Sequence, residues 1–191
     1  MPTLKDAIDP PPVDPSKVDA KKPLKCPFSW DVTIANGCTK PEVYDIKGDV
    51  VKKSKKPAYI YNIEAGPPLT GTDFSFGVVI ENVTKAADAF DTIGIKDASA
   101  VHNRCSPTGG ACIQLQTGKL YVKGVLASPA QQFSRIPTVG DCILMSYSSS
   151  THGVSFTLSN SSGIKDPNVL TTTYNATNGG LRPAVSARNI G

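Results

Sequence analysis

The chain has 191 residues, which is enough for one well-buried core but not for two independent domains of ordinary size. Charged residues make up only 19% and the formal net charge is +4, which argues against a dedicated nucleic-acid surface. Glycine and proline contribute 16 residues each beside 39% hydrophobic residues, a composition typical of short strands joined by many turns and not of long helices.

The first 25 residues have the composition of a proline-rich arm. They contain six of the sixteen prolines, combine aspartate with lysine, and carry almost no large apolar side chains. Such a segment cannot bury enough apolar surface to offset the entropy of ordering it. We therefore expect an extended arm over residues 1–25 that grips a neighbouring chain, with Pro10, Pro11 and Pro12 among its contacts.

Period-two alternation begins at Phe28 and predicts one β-domain over residues 26–191. FSWDVTI predicts the first strand. The stretch from Lys47 to Lys56 carries five lysines and predicts a solvated loop or a charge-protected edge strand.

The middle of the chain predicts a strand, a turn and a second strand. YIYNIEAG and FSFGVVIE alternate, and AGPPLTGTD between them is rich in turn residues. The buried face of the second strand is predicted to carry Phe74, Phe76, Val78 and Ile80. TKAADAF, residues 84–90, is the one candidate for a helical turn.

The second half predicts two hairpins and further short strands. ACIQLQTGKLYVKG folds back at Thr117 and Gly118, because glycine tolerates positive φ. The longer hairpin GDCILMSYSSSTHGVSFTLSNSSG has apolar alternation on both limbs: Ile143, Met145 and Tyr147, then Val154, Phe156 and Leu158. With TIGIKD, LTTTYN and LRPAVSAR we count nine to eleven strands, which favours an all-β fold of two packed antiparallel sheets.

The order of these segments resembles the SPRY family, a group of concanavalin-like β-sandwiches, over residues 28–190. The resemblance depends on the turn Gly140–Asp141, the return strand Val154–Phe156, the turn at residues 160–163 and the closing segment Leu181–Ser186. The sequence departs from the family pattern at SYSSSTHG, which replaces the usual turn of acidic residues and glycine, and at NSSG, which is longer than the common two-residue turn. The resemblance implies a non-catalytic module that captures peptides or protein surfaces with loops at one edge of the sandwich.

Catalytic and metal-binding patterns are weak in this sequence. The two histidines, His102 and His152, lie in turn contexts without a nucleophile motif, and the spacing of Cys105 and Cys112 lacks a second ligand pair. We expect no enzyme activity, no metal and no cofactor. Glu64 and Glu81, on strands predicted to be adjacent, form the one carboxylate pair to inspect for glycoside hydrolysis.

The cysteines and the hydropathy indicate the compartment. Five cysteines without paired C-x-x-C spacing fit reduced thiols, and the N-terminus lacks a signal-peptide core. No apolar run approaches the roughly 20 residues that cross a bilayer. We expect a soluble protein without membrane contact, in the cytoplasm or in an intracellular assembly such as a virion.

Three functions compete at this stage. The first is protein docking through loops 97–110 and 127–138. The residues predicted to contact the partner there are His102, Asn103, Arg104, Gln131 and Arg135. The second function is a structural subunit of a large assembly, such as a capsid or an organellar complex, held by the arm. The third is carbohydrate binding, which needs exposed aromatic rings on a concave face.

Overall fold

The structure is a computed structural model that describes residues 30–31, 44–47, 50–53, 61–65, 70–83, 91–98, 109–176 and 180–187. Within these ranges the chain forms thirteen strands and no helix. The strands are β1 (Trp30–Asp31), β2 (Tyr44–Lys47), β3 (Val50–Lys53), β4 (Tyr61–Ala65), β5 (Phe74–Val79), β6 (Thr92–Asp97), β7 (Gly110–Gln114), β8 (Lys119–Val122), β9 (Val125–Leu126), β10 (Cys142–Ser148), β11 (Gly153–Ser159), β12 (Leu170–Thr173) and β13 (Leu181–Ala187).

Two antiparallel sheets form the sandwich. The larger sheet has seven strands in the order β1-β4-β13-β6-β7-β8-β9, and the smaller has four in the order β12-β11-β10-β5. Strands β2 and β3 pair separately, and this hairpin includes part of the lysine-rich stretch. The predicted all-β sandwich is confirmed. The described strands exceed the expected nine to eleven because β2 and β9 were not predicted, and β9, with two residues, is too short to show alternation.

The predicted strand–turn–strand unit in the middle of the chain does not form a hairpin. Strand β4 pairs with β13 in the seven-stranded sheet, whereas β5 pairs with β10 in the four-stranded sheet. The expectation that Glu64 and Glu81 lie on adjacent strands is therefore wrong. The connecting segment is long enough to cross the roughly 10 Å between packed sheets.

Strands β10 and β11 form the predicted long hairpin at the centre of the smaller sheet. Their inward residues face each other as the pairs Ile143–Leu158, Met145–Phe156 and Tyr147–Val154. All six side chains are buried in the core between the sheets. Because every second residue points inward, the alternation in the sequence sets this register.

The central strands of the larger sheet are buried on both faces. On β6, Ile93 and Ile95 point into the core, while the outward Thr92 and Lys96 are also buried. Thr92 Oγ1 lies 2.5 Å from Ser186 Oγ of β13. A Cβ on Gly94 would lie only 2.1 Å from the carbonyl oxygen of Ala111, so this close approach of β6 and β7 requires glycine.

Two tight turns shape the other hairpins of this sheet. Gly118, with φ of 68°, lies in the turn between β7 and β8, as the sequence predicts. A second hairpin, which the sequence analysis missed, joins β8 to β9 through Lys123 and Gly124, whose φ values are 51° and 79°. Positive φ at both central residues is typical of the two-residue turn that matches strand twist. The arm (residues 1–25) and the candidate helical turn (84–90) lie outside the described residues.

Candidate functional site

One end of the sandwich carries a group of exposed aliphatic side chains. They are between 47% and 67% exposed and come from three segments: Val79 at the end of β5, Ile136 and Val139 before β10, and Ile164 and Val169 between β11 and β12. We call these five residues the aliphatic edge. Contiguous exposed apolar side chains are uncommon on soluble proteins and mark interaction surfaces.

Backbone contacts bring the three segments together. The Ile80 amide donates to the carbonyl oxygen of Asp141 at 2.8 Å, and the Gly140 amide donates to the Ile80 carbonyl at 2.8 Å. A Cβ on Gly140 would lie 3.6 Å from the Cβ of Ser161. The ends of β5 and β11 and the start of β10 therefore form one continuous surface.

Asp141 fixes the segment that carries Ile136 and Val139. Its carboxylate accepts hydrogen bonds from Arg135 Nη1 at 2.5 Å and Nη2 at 3.0 Å, and from the Thr138 amide and hydroxyl at 2.7 and 3.1 Å. Burial opposes the ionisation of Asp141, but these hydrogen bonds outweigh it and hold the pKa of Asp141 below its ordinary value. The carboxylate therefore stays charged and the loop stays closed around it.

Asp166 fixes the second loop in the same way. It is buried, and it accepts hydrogen bonds from the Ser134 amide at 3.1 Å, the Ser134 hydroxyl at 2.7 Å and the Asn168 amide at 2.9 Å. Burial raises the pKa of Asp166, and the hydrogen bonds from Ser134 and Asn168 lower it further than burial raises it. Because Ser134 belongs to the first loop, Asp166 ties the two loops of the aliphatic edge to each other.

Gln131 links the two sheets beside this edge. Its side-chain amide donates to the Thr171 carbonyl at 2.7 Å and accepts from the Thr171 amide at 2.8 Å. A neighbouring strand would make the same two hydrogen bonds to the backbone of Thr171 at the edge of β12. The Gln131 carbonyl in turn accepts from the Leu120 amide of β8 at 3.0 Å. The segment from residue 131 to 141 therefore closes the side of the sandwich.

The predicted contact residues divide into two groups. Gln131 and Arg135 lie in the described loop, and both of their side chains bond within the chain, to Thr171 and Asp141. The predicted contacts His102, Asn103, Arg104, Pro10, Pro11 and Pro12 lie outside the described residues, as does most of loop 97–110. Their partner contacts stay predictions, and so does the arm as the grip of a structural subunit.

Apart from Val79 on β5, the residues of the aliphatic edge were missed because regular alternation stops in their segments. IPTVG and SGIKDPNV contain single apolar residues between turn residues, and such residues are often buried under loops. Exposure depends on the hydrogen bonds of Asp141 and Asp166, which pattern alone does not predict. The sequence signal that could have identified them is an apolar residue that stands alone between turn residues.

Among the described residues, the side chains with catalytic potential lie away from the aliphatic edge and apart from one another. His152 is exposed in the β10–β11 turn, where its Nδ1 lies 3.1 Å from the Tyr147 hydroxyl. Among the described residues no cluster of three histidine, cysteine, aspartate or glutamate side chains could hold a metal ion. In the same residues, Cys112 and Cys142 are free, and burial raises the pKa of both thiols. No described helix is long and apolar enough to span a membrane.

Comparison with known proteins identifies the fold. No family model matches the sequence, and no curated protein matches it. Among solved structures, a human SPRY domain aligns over 78% of this chain and 91% of its own length with a TM-score of 0.54 and 16% identity. The SPRY domain of human HERC1 aligns over 80% and 91% with a TM-score of 0.53 and 13% identity.

A third structure, the PSpry domain of TRIM65, aligns over 86% of this chain and 88% of its own length with a TM-score of 0.55 and 12% identity. At these identities the likeness is one of fold. The resemblance predicted from the Gly140–Asp141 turn and the closing strand is confirmed at that level. The chain therefore has a SPRY-like β-sandwich fold.

Proposed function

We propose that the chain is a non-enzymatic protein-interaction module and that the aliphatic edge docks an apolar peptide or protein segment. The observation that carries this proposal is the exposure of five aliphatic side chains, four of them on loops that buried aspartates hold in place. An exposed apolar centre with a polar rim is the usual anatomy of a docking surface. The likeness to SPRY domains supports an interaction role by analogy of fold.

The fixed loops favour binding without a large conformational change. Residues 134–141 and 160–168 are bonded to each other before any partner arrives, so little loop entropy is lost on docking. The buried charges Asp141 and Asp166 are paired or hydrogen-bonded within the protein. The two aspartates therefore present no free charge to a partner, and the charges exposed beside the aliphatic edge, Glu81 and Lys165, have opposite signs, so neither an acidic nor a basic segment is favoured over an apolar one.

The same surface argues against carbohydrate binding. Sugar recognition commonly uses an exposed aromatic ring as a flat platform. Every exposed large hydrophobic side chain in the described part of the chain is valine, leucine or isoleucine. We therefore favour a protein ligand over a glycan.

The test uses a phage-displayed random-peptide library selected on the wild-type protein. We expect selected peptides to bind with a Kd on the order of micromolar and to lose about tenfold or more in affinity on the double variant Val139→Asp/Ile164→Asp, because each new carboxylate would face apolar side chains. Val125→Asp is the matched control. Val125 is 69% exposed on β9, at the opposite end of the sandwich, and its replacement should leave affinity unchanged.

Isothermal titration calorimetry measures the affinities, and thermal melts verify that all variants are folded. Selected peptides that bind the folded double variant as tightly as they bind the wild type would refute the proposal. Loss of affinity in Val125→Asp alone would place the docking surface at the other end.

A further inference from the structure

The outer face of the four-stranded sheet has an unusual composition. Strand register puts these residues on one surface: Ser75, Gly77 and Val79 of β5, Cys142, Leu144, Ser146 and Ser148 of β10, Gly153, Ser155, Thr157 and Ser159 of β11, and Thr171 and Thr173 of β12. We call this surface the hydroxyl face. None of these residues is charged, although solvent-facing strand positions usually carry charged side chains that keep sheets soluble.

A row of four hydroxyl groups crosses the hydroxyl face at its centre. Ser146 lies directly opposite both Ser75 and Ser155, and Ser155 lies opposite Thr171. These hydroxyls have no hydrogen-bond partner among the described residues, and the outermost two, Ser75 and Thr171, are exposed. A hydroxyl donates and accepts, so the two central hydroxyls of the row, on Ser146 and Ser155, can bond to the same hydroxyls of a second molecule whose row crosses this one.

We propose that the hydroxyl face is the contact surface between two copies of this chain. A copy of the same surface meets no like-charge repulsion here, whereas a face bearing lysine or glutamate would repel its own copy. Serine and threonine also lose little side-chain entropy when they become ordered, in contrast to the long charged side chains that usually cover a sheet. Neutrality and dual hydrogen-bonding capacity make the face complementary to itself.

The charges that border the face support this arrangement. Asp73 continues β5 in register with Ser148, at one corner. Lys165 pairs with Ser159, at the diagonally opposite corner. A two-fold axis that exchanges these corners places Asp73 of one copy against Lys165 of the other.

The size of the face sets the expected strength of the contact. Four strands about 4.8 Å apart and seven residues at about 3.3 Å each give a surface of roughly 400 Å². Two copies would bury roughly 800 to 1,000 Å², which is below the 1,200 to 2,000 Å² of stable complexes. We therefore infer a weak, concentration-dependent dimer with a Kd on the order of ten to a hundred micromolar. Val79 belongs to both the hydroxyl face and the aliphatic edge, so the two surfaces meet at that residue, but this contact does not depend on docking at the other four residues of the edge.

Sedimentation equilibrium over a concentration series tests the dimer with the full chain. The wild type should move from monomer to dimer in that range, and Ser155→Lys should weaken association at least about tenfold, because two facing lysines repel and must be desolvated. Val125→Lys adds the same charge on the other sheet and should dimerise like the wild type. Thr171→Lys, at an exposed position on the edge strand, repeats the test if Ser155→Lys does not fold.

Two results would overturn the proposal. One is a wild type that stays monomeric at about ten times the expected Kd. The other is a folded Ser155→Lys or Thr171→Lys variant that dimerises like the wild type. Because Ser155 lies at the centre of the hydroxyl face, away from Val79 and from the loops of the aliphatic edge, peptide affinity is measured in parallel on Ser155→Lys: loss of dimerisation with retained peptide binding separates the two surfaces.

Discussion

Replacing Asp141 with asparagine removes the charge that holds the loop of Ile136 and Val139. Asp141 is only 3% exposed and accepts four hydrogen bonds, two from Arg135 and two from Thr138. Asparagine has the same size but turns one acceptor oxygen into a donor, so an amide group faces the Arg135 guanidinium or the Thr138 N–H. Hydrogen bonds to a charged group contribute about 1.5 to 3 kcal/mol each, and water replaces part of the loss at the half-exposed Arg135.

We expect Asp141→Asn to lower the free energy of unfolding by about 2 to 3 kcal/mol at pH 7, measured by urea denaturation. The effect should depend on pH. Because the pKa of Asp141 in the folded protein lies below 3.8, its contribution is fully present above that value and is lost as the pH falls further. The difference between wild type and variant should therefore shrink in acid.

Glu81→Gln, an exposed carboxylate beside the same segment, is the matched control and should change stability by less than about 0.5 kcal/mol. If Asp141→Asn changed stability no more than this control, or if its effect did not depend on pH, the role assigned to Asp141 would be wrong.

Three further substitutions test other parts of the fold. Gly94→Ala should lower the free energy of unfolding by about 3 kcal/mol or more in urea denaturation, because the added Cβ would lie 2.1 Å from the Ala111 carbonyl oxygen. A variant as stable as the wild type would contradict the close approach of β6 and β7. Gln131→Ala removes two hydrogen bonds to Thr171, so it should lower the free energy of unfolding by about 1 to 2 kcal/mol and speed amide hydrogen exchange at Thr171. Unchanged exchange at Thr171 would contradict these two hydrogen bonds. Phe156→Ala should lower the free energy of unfolding by about 3 to 5 kcal/mol in thermal or urea denaturation, because Phe156 is fully buried. A decrease of less than about 1 kcal/mol would contradict the position of Phe156 in the core.

The sequence predicts the long hairpin well and the sheet assignment poorly. Alternation in β10 and β11 identifies the inward residues from Ile143 to Leu158, because a strand with one buried face repeats every second residue. The separation of β4 and β5 into different sheets was not predictable in the same way. Which strands pair depends on contacts between distant parts of the chain, such as β4 with β13, and local pattern carries no information about them.

The candidate site was predictable only in its general place. Loop 127–138 was predicted to be a contact loop, and the described loop does border the aliphatic edge. Its charged and polar members, Gln131 and Arg135, looked like contact residues but bond within the protein. The exposed residues are instead valines and isoleucines such as Val139, because the side chain of Gln131 bonds to the Thr171 backbone and that of Arg135 bonds to Asp141.

The most direct test of the docking surface is hydrogen exchange measured by mass spectrometry with and without a selected peptide. The aliphatic edge predicts that bound peptide slows exchange in residues 134–141 and 160–169, and that the β10–β11 turn at residues 148–153 exchanges as before. Protection confined to residues 148–153, or to segments distant from both loops, would contradict the assignment of the aliphatic edge as the docking surface.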